Sequence, residues 1–298
     1  KLYIRYNNIM ISIQFLNFWS KFNINNNYFT QLLDFFNIEY TIINDRSKES
    51  DIIIYSCFRG NSPFKSSAKK YIFFTGEPRD IDPNATFNLS FNENTKNNFR
   101  LPLWLMHVTT NNSQGHFIGN FDRYNFKSYE ILRKDENNKK NKFCIFISSA
   151  KKQHRIDFVN KLSNYKKVDC GGNVLNNIPK VNNKIEFTKN YKFSIVFEGK
   201  DSPGYITEKI IDAYKGCTVP IFWGNKYVVN DFNKDTFINS NDFENWDKLI
   251  EYIIKDDNDD DLYNSFFNKP IFSNQSYEIL NNESNSYFKN LSNIISKI

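Results

Sequence analysis

Residues 197–224 read FEGKDSPGYITEKIIDAYKGCTVPIFWG, and this stretch is the most informative about the fold. A short apolar run leads into a loop with Pro and Gly. A helix that opens with Glu208 and Lys209 then leads into a second apolar run, and Gly216 is typical of the helix end between them. Short apolar runs indicate buried strands, and strands that alternate with helices indicate a parallel sheet in an α/β domain.

The same alternation extends over most of the chain. Strands are predicted at 9–15, 40–43, 51–56, 70–75, 142–148, 191–197 and 218–224. Helices are predicted after a cap near residues 25–27 and at 153–165, 205–214 and 245–254. A polar segment over residues 120–141 is typical of a linker. These patterns predict two tandem α/β domains, 1–135 and 142–275, with a helical tail at 276–298.

Composition excludes several other classes of protein. The chain has 298 residues, of which 40% are hydrophobic and 17% aromatic, which is enough for two cores. Its net charge of +6 is dispersed, whereas nucleic-acid modules show a basic stripe interleaved with aromatics. The four cysteines and three histidines have neither disulfide nor metal-ligand spacing, which favours a reducing compartment.

The sequence shows no run as long as a membrane span and no signal peptide. We therefore expect a cytoplasmic protein from a bacterium or a virus. An N-terminal anchor outside this sequence is left open as an alternative.

Two strand-to-helix junctions of the second domain carry cations. Lys151, Lys152 and Arg155 lie at one junction, and Lys209 lies at the other beside Glu208. Ligands of parallel sheets bind at the carboxyl ends of the strands, and a helix N-terminus with added cations suits a phosphate. A carboxylate there can accept hydrogen bonds from ribose hydroxyls. The pattern predicts a nucleoside-diphosphate site, although exposed helix turns explain the same spacing equally well.

The first domain contains a carboxylate at the end of a predicted strand. In YIFFTGEPRDID (71–82), Glu77 is placed to act as a general base, or it is an ordinary exposed turn residue. Asp80 and Asp82 also match the aspartate-x-aspartate pattern that chelates a divalent metal in one class of glycosyltransferases. The acidic run at 256–261 matches it too, but is more typical of a solvated loop.

The opening stretch resembles the signature of the α-1,3-fucosyltransferases, glycosyltransferase family 10. That signature has an F-E-N-S-like start, then Y-[VI]-T-E-K, a helix and a [VI]-P-[VI]-x-x-G strand. Other segments agree in order: FLNFWSKFN, FFTGEP, RLPLWL, KFCIFISS, and HRIDF followed by GG. The resemblance extends from about residue 9 to 255.

The resemblance implies a GT-B architecture, with two Rossmann-like domains facing a cleft. It implies inverting transfer of fucose from GDP-fucose to a hydroxyl, expected to be O3, of an acceptor glycan containing GlcNAc or glucose. The donor is expected on the second domain and the oligosaccharide or glycoconjugate acceptor on the first. No metal, cofactor or nucleic acid is expected.

Carried over by position, the resemblance also implies site residues. Glu77 would be the general base, Arg155 and Lys209 would hold the diphosphate, Glu208 would contact the ribose, and Tyr205 would line the donor site.

Glu198 and Gly199 begin the matched signature and are predicted donor-binding residues. Gly199 stands where the family has Asn, which predicts an altered donor contact. Two other functions stay open. One is a metal-dependent transferase of another nucleotide sugar, and the other is a catalytically inactive glycan-binding relative.

Overall fold

A computed structural model describes residues 10–58, 60–111, 120–132, 140–179, 181, 183–282 and 286–298. The chain forms two compact units. The first comprises Lys1–Arg123 and Asn282–Ile298, and the second comprises Tyr124–Asn281. The predicted linker lies partly outside the described residues, and the predicted boundaries at 135 and 142 stay predictions.

The first unit is built on a parallel sheet. Its described strands are β1 (Ile11–Leu16), β2 (Tyr40–Ile42), β3 (Ser50–Tyr55), β4 (Ala68–Phe74), β5 (Phe87–Ser90), β6 (Asn98–Arg100), β7 (Thr110–Asn111) and β8 (Asn120–Phe121). Its described helices are α1 (Tyr28–Phe35), α2 (Leu103–Val108) and α10 (Tyr287–Ser296). Strands β1 to β6 form one sheet in the order β2-β1-β3-β4-β5-β6, while β7 and β8 pair antiparallel.

Local sequence accounts for the start of α1. The Asn27 side chain accepts hydrogen bonds from the backbone N–H groups of Phe29 and Thr30, and the Thr30 hydroxyl accepts one from the N–H of Asn27. This reciprocal capping box satisfies donors that a helix end leaves unpaired. The helix cap predicted near residues 25–27 is confirmed.

The second unit contains the other parallel sheet. Its described strands are β9 (Lys142–Phe146), β10 (Val168–Cys170), β11 (Tyr191–Phe197), β12 (Val219–Trp223) and β13 (Ile238–Asn239). Its described helices are α3 (Lys127–Leu132), α4 (Gln153–Leu162), α5 (Lys184–Thr188), α6 (Lys209–Lys215), α7 (Trp246–Asp257), α8 (Asp260–Ser265) and α9 (Asn274–Asn281). The sheet order is β10-β9-β11-β12-β13, with every pair parallel. The predicted α/β class is confirmed.

Two helices near the ends of the units show how the chain divides. Glu130 of α3 accepts hydrogen bonds from the backbone N–H of Ile271 and the hydroxyl of Tyr277, which fixes α3 in the second unit. Phe288 of α10 packs on Phe121 with ring centroids 5.3 Å apart, which fixes α10 in the first. The helical tail predicted at 276–298 is therefore shared between the two units.

Helix α6 begins later than the sequence predicts. The predicted helix starts at residue 205, whereas α6 starts at Lys209. The backbone N–H of Thr207 donates to the carboxylate of Glu198 rather than to a helical carbonyl. The predicted core positions of this segment are buried: Ile206, Ile210, Ile211 and Tyr214.

Within the described residues, no helix combines the length and the apolar character that crossing a bilayer requires.

Candidate functional site

Glu198 organises the junction between β11 and α6. It follows β11 directly, its backbone N–H donates to the carbonyl of Trp223, and its side chain has no exposed surface. The carboxylate accepts hydrogen bonds from the N–H and the hydroxyl of Thr207, each at 2.8 Å, and from Lys209 Nζ at 2.9 Å. Glu198 therefore fixes the loop before α6 and positions Lys209, instead of presenting its own oxygens to solvent.

Lys209 is a half-buried cation. Its Nζ donates to Glu198 Oε2 and, at 2.7 Å, to Thr207 Oγ1, and its side chain is 30% exposed. Burial opposes the charge, but the carboxylates of Glu198 and Glu208 outweigh this and raise the pKa of Lys209 above its usual range. An ammonium group has three donors, so a further proton remains for an anionic ligand.

Arg155 supplies a second buried cation, from α4. Its Nη1 donates to Ser148 Oγ at 2.9 Å and to the carbonyl of Ala150 at 3.4 Å. Its Nε is buried and has no acceptor among the described residues. Burial lowers the pKa of Arg155, which the Glu198 carboxylate opposes, and a guanidinium stays charged at any physiological pH. Arg155 therefore adds a second fixed positive charge to that of Lys209.

Two glycines near Arg155 differ in what their positions require: Gly172 and Gly199, of which Gly199 is a predicted site residue. A Cβ at Gly172 would lie 2.2 Å from the carbonyl oxygen of Ser148, so only glycine fits at this position. Ser148 is the residue whose hydroxyl accepts the hydrogen bond from Arg155. A Cβ at Gly199 would meet only Arg155 Nη2, at 3.8 Å, which is an ordinary contact. Sterics therefore do not require glycine at position 199.

Tyr205 and Glu208 complete the predicted donor-binding set. Tyr205 is buried, and its backbone N–H donates to the carbonyl of Ser202 at 3.1 Å. Glu208 is the N-cap residue of α6 and is partly exposed, without a capping hydrogen bond from its side chain. The structure thus brings together Lys209, which bonds to the Glu198 carboxylate, and Arg155, whose Nη2 lies beside the next residue, Gly199.

Sequence reasoning missed His154 at this junction. Its ring lies 4.2 Å from the ring of Trp223, and its Nε2 is 3.2 Å from the carbonyl oxygen of Glu198. Burial lowers the pKa of His154, as do the charges of Arg155 and Lys152, so the ring is neutral near pH 7 and donates to that carbonyl. The sequence analysis considered the histidines only as metal ligands. The position of His154 directly before Arg155 was the feature that could have identified it.

Glu77 lies in a turn after β4 of the first unit. The Thr75 hydroxyl donates to the carbonyl of Glu77 and accepts from its backbone N–H, which fixes the turn. The Glu77 side chain is exposed and lines a cavity of about 340 Å³. Most of the lining is apolar, including Trp19, Phe22, Phe58, Phe74, Leu103 and Met106. The carboxylate thus lies at a concave surface, as a general base requires.

Two aspartates of the metal-dependent alternative, Asp82 and Asp257, have other partners. Asp82 accepts hydrogen bonds from the hydroxyl of Tyr55 at 2.6 Å and from the backbone N–H of Asn84. Asp257 forms salt bridges with Lys166 and Lys192. Within the described part of the chain, no group of three or more His, Cys, Asp and Glu side chains is arranged to hold a metal ion.

The part of the chain that carries Arg155 and Lys209 is similar in sequence to known proteins. Residues 136–291, more than half of the chain, match "Glycosyltransferase family 10 (fucosyltransferase) C-term". Over 113 residues the chain is 43% identical to "Alpha-(1,3)-fucosyltransferase FucT" of Helicobacter pylori, a match covering 37% of this chain and 24% of that protein. The chain thus matches about a quarter of the length of that relative.

Solved structures match over nearly the whole chain. One described as "Crystal Structure of alpha1,3-Fucosyltransferase" aligns with a TM-score of 0.72 and 25% identity, covering 95% of this chain and 90% of that chain. Another, of "alpha1,3-Fucosyltransferase with GDP-fucose", aligns with a TM-score of 0.71 and 24% identity, with the same coverage. The predicted GT-B fold class is confirmed.

Proposed function

The chain belongs to glycosyltransferase family 10, the fucosyltransferase family, and we propose that it transfers fucose from GDP-fucose to a glycan hydroxyl. One observation carries the proposal: Arg155 and Lys209 are held as cations at neighbouring strand-to-helix junctions of one parallel sheet. A similar structure is described with GDP-fucose, which supports this nucleotide sugar as the donor.

The donor site supplies charge where the leaving group needs it. Lys209 has a proton left for a phosphate oxygen after its bonds to Glu198 and Thr207, and Arg155 adds a second positive charge. Donors held in place before the reaction stabilise the negative charge that develops on GDP as the sugar–phosphate bond breaks. Glu208 would accept a hydrogen bond from the ribose, and Tyr205 would line the pocket.

Glu77 would act on the acceptor. Its carboxylate would take the proton from the attacking hydroxyl, which we propose to be O3 of a GlcNAc or glucose unit. The acceptor oxygen forms a bond to the anomeric carbon while the bond from that carbon to the phosphate oxygen breaks. A single displacement of this kind inverts the anomeric configuration, and it requires base and leaving group on opposite sides of the sugar.

The test is calorimetric titration with GDP, GDP-fucose, GDP-mannose and UDP-GlcNAc, with and without EDTA. We expect GDP and GDP-fucose to bind equally well in both conditions, and we expect transfer to lactose or N-acetyllactosamine. Binding that requires added manganese would support the metal-dependent alternative. Binding of acceptor and donor without any transfer would support a glycan-binding relative, and no nucleotide binding would overturn the proposal.

A further inference from the structure

Three aromatic side chains form one side of the cavity beside Glu77. We call this set the aromatic wall: Trp19, Phe22 and Phe58. The Trp19 ring lies 5.0 Å from that of Phe22 at 82° and 6.0 Å from that of Phe58 at 70°. Trp19 and Phe22 come from the loop between β1 and α1, whereas Phe58 follows β3. The wall is therefore assembled at the carboxyl ends of two neighbouring strands, where ligands of parallel sheets bind.

The aromatic wall is not a closed core. Phe58 is 38% exposed, and Trp19 and Phe22 are only partly buried, while Phe74 behind them is 1% exposed. Clustered exposed aromatics in a concave surface mark a binding site more often than scattered ones do. Polar residues also line the cavity: Ser20, Lys21, Asn23, Asn26, Asn27 and Glu77.

The loop that carries the wall has an unusual backbone. Asn17 and Lys21 have φ angles of 58° and 73°, in the left-handed region that non-glycine residues rarely adopt. Asn17 is fixed on both sides: its carbonyl accepts from the N–H of Phe58 at 3.1 Å, and its Oδ1 accepts from Arg46 at 2.9 Å. The first of these bonds connects the loop to the segment that carries Phe58, and both hold Asn17 in place before any ligand binds.

We propose that the aromatic wall binds the acceptor sugar by stacking against the C–H face of a pyranose ring with glucose configuration. In a β-linked glucose or GlcNAc ring the hydroxyls are equatorial and the ring hydrogens axial, so the faces are apolar and the edge is polar. When an apolar face of the sugar ring stacks on Trp19 and Phe58, the hydroxyl groups at the edge of the ring remain available to Glu77. This inference rests on the proposed function and names Trp19 and Phe58 as specificity-determining residues.

The cavity volume agrees with this occupant. About 340 Å³ lies at the lower end of the range for small-molecule pockets, which suits one or two sugar rings and not an extended polymer. The three side chains of the wall are uncharged, so the wall selects the shape and apolar face of the ring. The charged groups that line the cavity, Lys21 and Glu77, are left for its polar edge, where Glu77 selects the hydroxyl that reacts.

Kinetics with matched variants test the stacking. In Trp19→Ala and Phe58→Leu we expect KM for methyl β-N-acetyllactosaminide to rise by about 3- to 10-fold, the range for loss of one aromatic contact. KM for GDP-fucose and the rate of GDP-fucose hydrolysis without acceptor should not change. Phe58→Tyr, which keeps the ring, should retain the low KM.

The matched control is Phe64→Leu. Phe64 is 41% exposed, packs 5.0 Å from Tyr71, and is absent from the lining of the cavity. If Phe58→Leu raises the acceptor KM no more than Phe64→Leu does, the proposal is overturned. Thermal melting of each variant shows whether a loss of folding accounts for the change.

A binding readout separates this proposal from the proposed function. Saturation-transfer NMR with methyl β-GlcNAc and no donor should show enhancement of the axial ring protons in the wild type and its loss in Phe58→Leu. Failure of the wild type to bind GDP-fucose by calorimetry would overturn the proposed function itself. Fucose transfer without enhancement of the ring protons would overturn the stacking alone.

Discussion

The ammonium nitrogen of Lys209 lies 2.9 Å from a carboxylate oxygen of Glu198, a side chain with no exposed surface. A buried ion pair is costly to desolvate and is weak evidence for stability by itself. Here the pair connects the end of β11 to the first residue of α6 and leaves Lys209 partly exposed. The free energy spent on desolvating this ion pair is explained if the pair positions Lys209 for an anionic ligand.

Removing Lys209 should affect both stability and donor binding. Lys209→Ala leaves the Glu198 carboxylate buried without its partner, and breaking such a pair typically costs about 3–5 kcal/mol. We expect a lower urea midpoint together with loss of GDP binding by calorimetry. The double variant Glu198→Gln/Lys209→Ala should regain stability but not GDP affinity. Recovery of GDP affinity in the double variant would show that Lys209 does not contact the donor.

Replacing Glu77 should remove the chemistry and spare the donor site. Glu77→Gln keeps the size of the side chain but cannot accept the acceptor proton, so we expect kcat for transfer to fall by about 100-fold or more. GDP affinity and the melting temperature should not change, since the Glu77 side chain is exposed. The control is Asp80→Asn, an exposed carboxylate in the same turn, which should retain activity. Equal losses in both variants would contradict a specific role for Glu77.

An added methyl group should destabilise the protein at Gly172 and not at Gly199. Gly172→Ala would force the Ser148 backbone to move, because its Cβ would lie 2.2 Å from the Ser148 carbonyl oxygen. We expect it to lower stability by about 1–3 kcal/mol and to weaken GDP binding, because Ser148 holds Arg155. Gly199→Ala meets only Arg155 Nη2 at 3.8 Å and should fold normally. Differential scanning calorimetry and GDP titration of both variants check this contrast.

A buried carboxyl group should make stability depend on pH. Asp256 of α7 is fully buried, and neither of its carboxyl oxygens has a hydrogen-bond partner within the described residues. Burial raises the pKa of Asp256 to about 7, with Asp257 and Asp259 adding to the effect and Lys192 opposing it. An aspartate in the unfolded chain titrates near pH ~3.9.

Proton binding by Asp256 sets the direction of this dependence. Between about pH 4 and pH 7 the folded state holds a proton that the unfolded state has released, so stability falls as pH rises through this window. A tenfold difference in proton affinity corresponds to about 1.4 kcal/mol, so the loss is at most about 4 kcal/mol. Urea denaturation at about pH 5 and pH 8 should show this fall in the wild type and a smaller one in Asp256→Asn. Asp247→Asn, an exposed change on α7, should behave like the wild type.

Local sequence was enough to predict much of this protein. The apolar runs predicted the strands, because strands covered on both faces are continuously apolar. Asn27 predicted a helix start, since a side chain near the helix end can cap it. Glu77 and Lys209 were predicted as site residues because one follows a strand end and the other lies at a strand-to-helix junction, where parallel sheets place their ligands.

Other features depended on residues distant in sequence. The burial of Glu198, the later start of α6, and the fit of Gly172 against Ser148 result from packing that no local pattern encodes. The same holds for the aromatic wall, which joins Phe58 to Trp19 through two adjacent strands. Apolar periodicity, helix caps and charged residues at strand and helix ends are local properties of the sequence. The sequence alone therefore specified which helices and strands form and which charges lie at their ends. Contact between side chains depends on how those elements pack, so it emerged only from the three-dimensional arrangement.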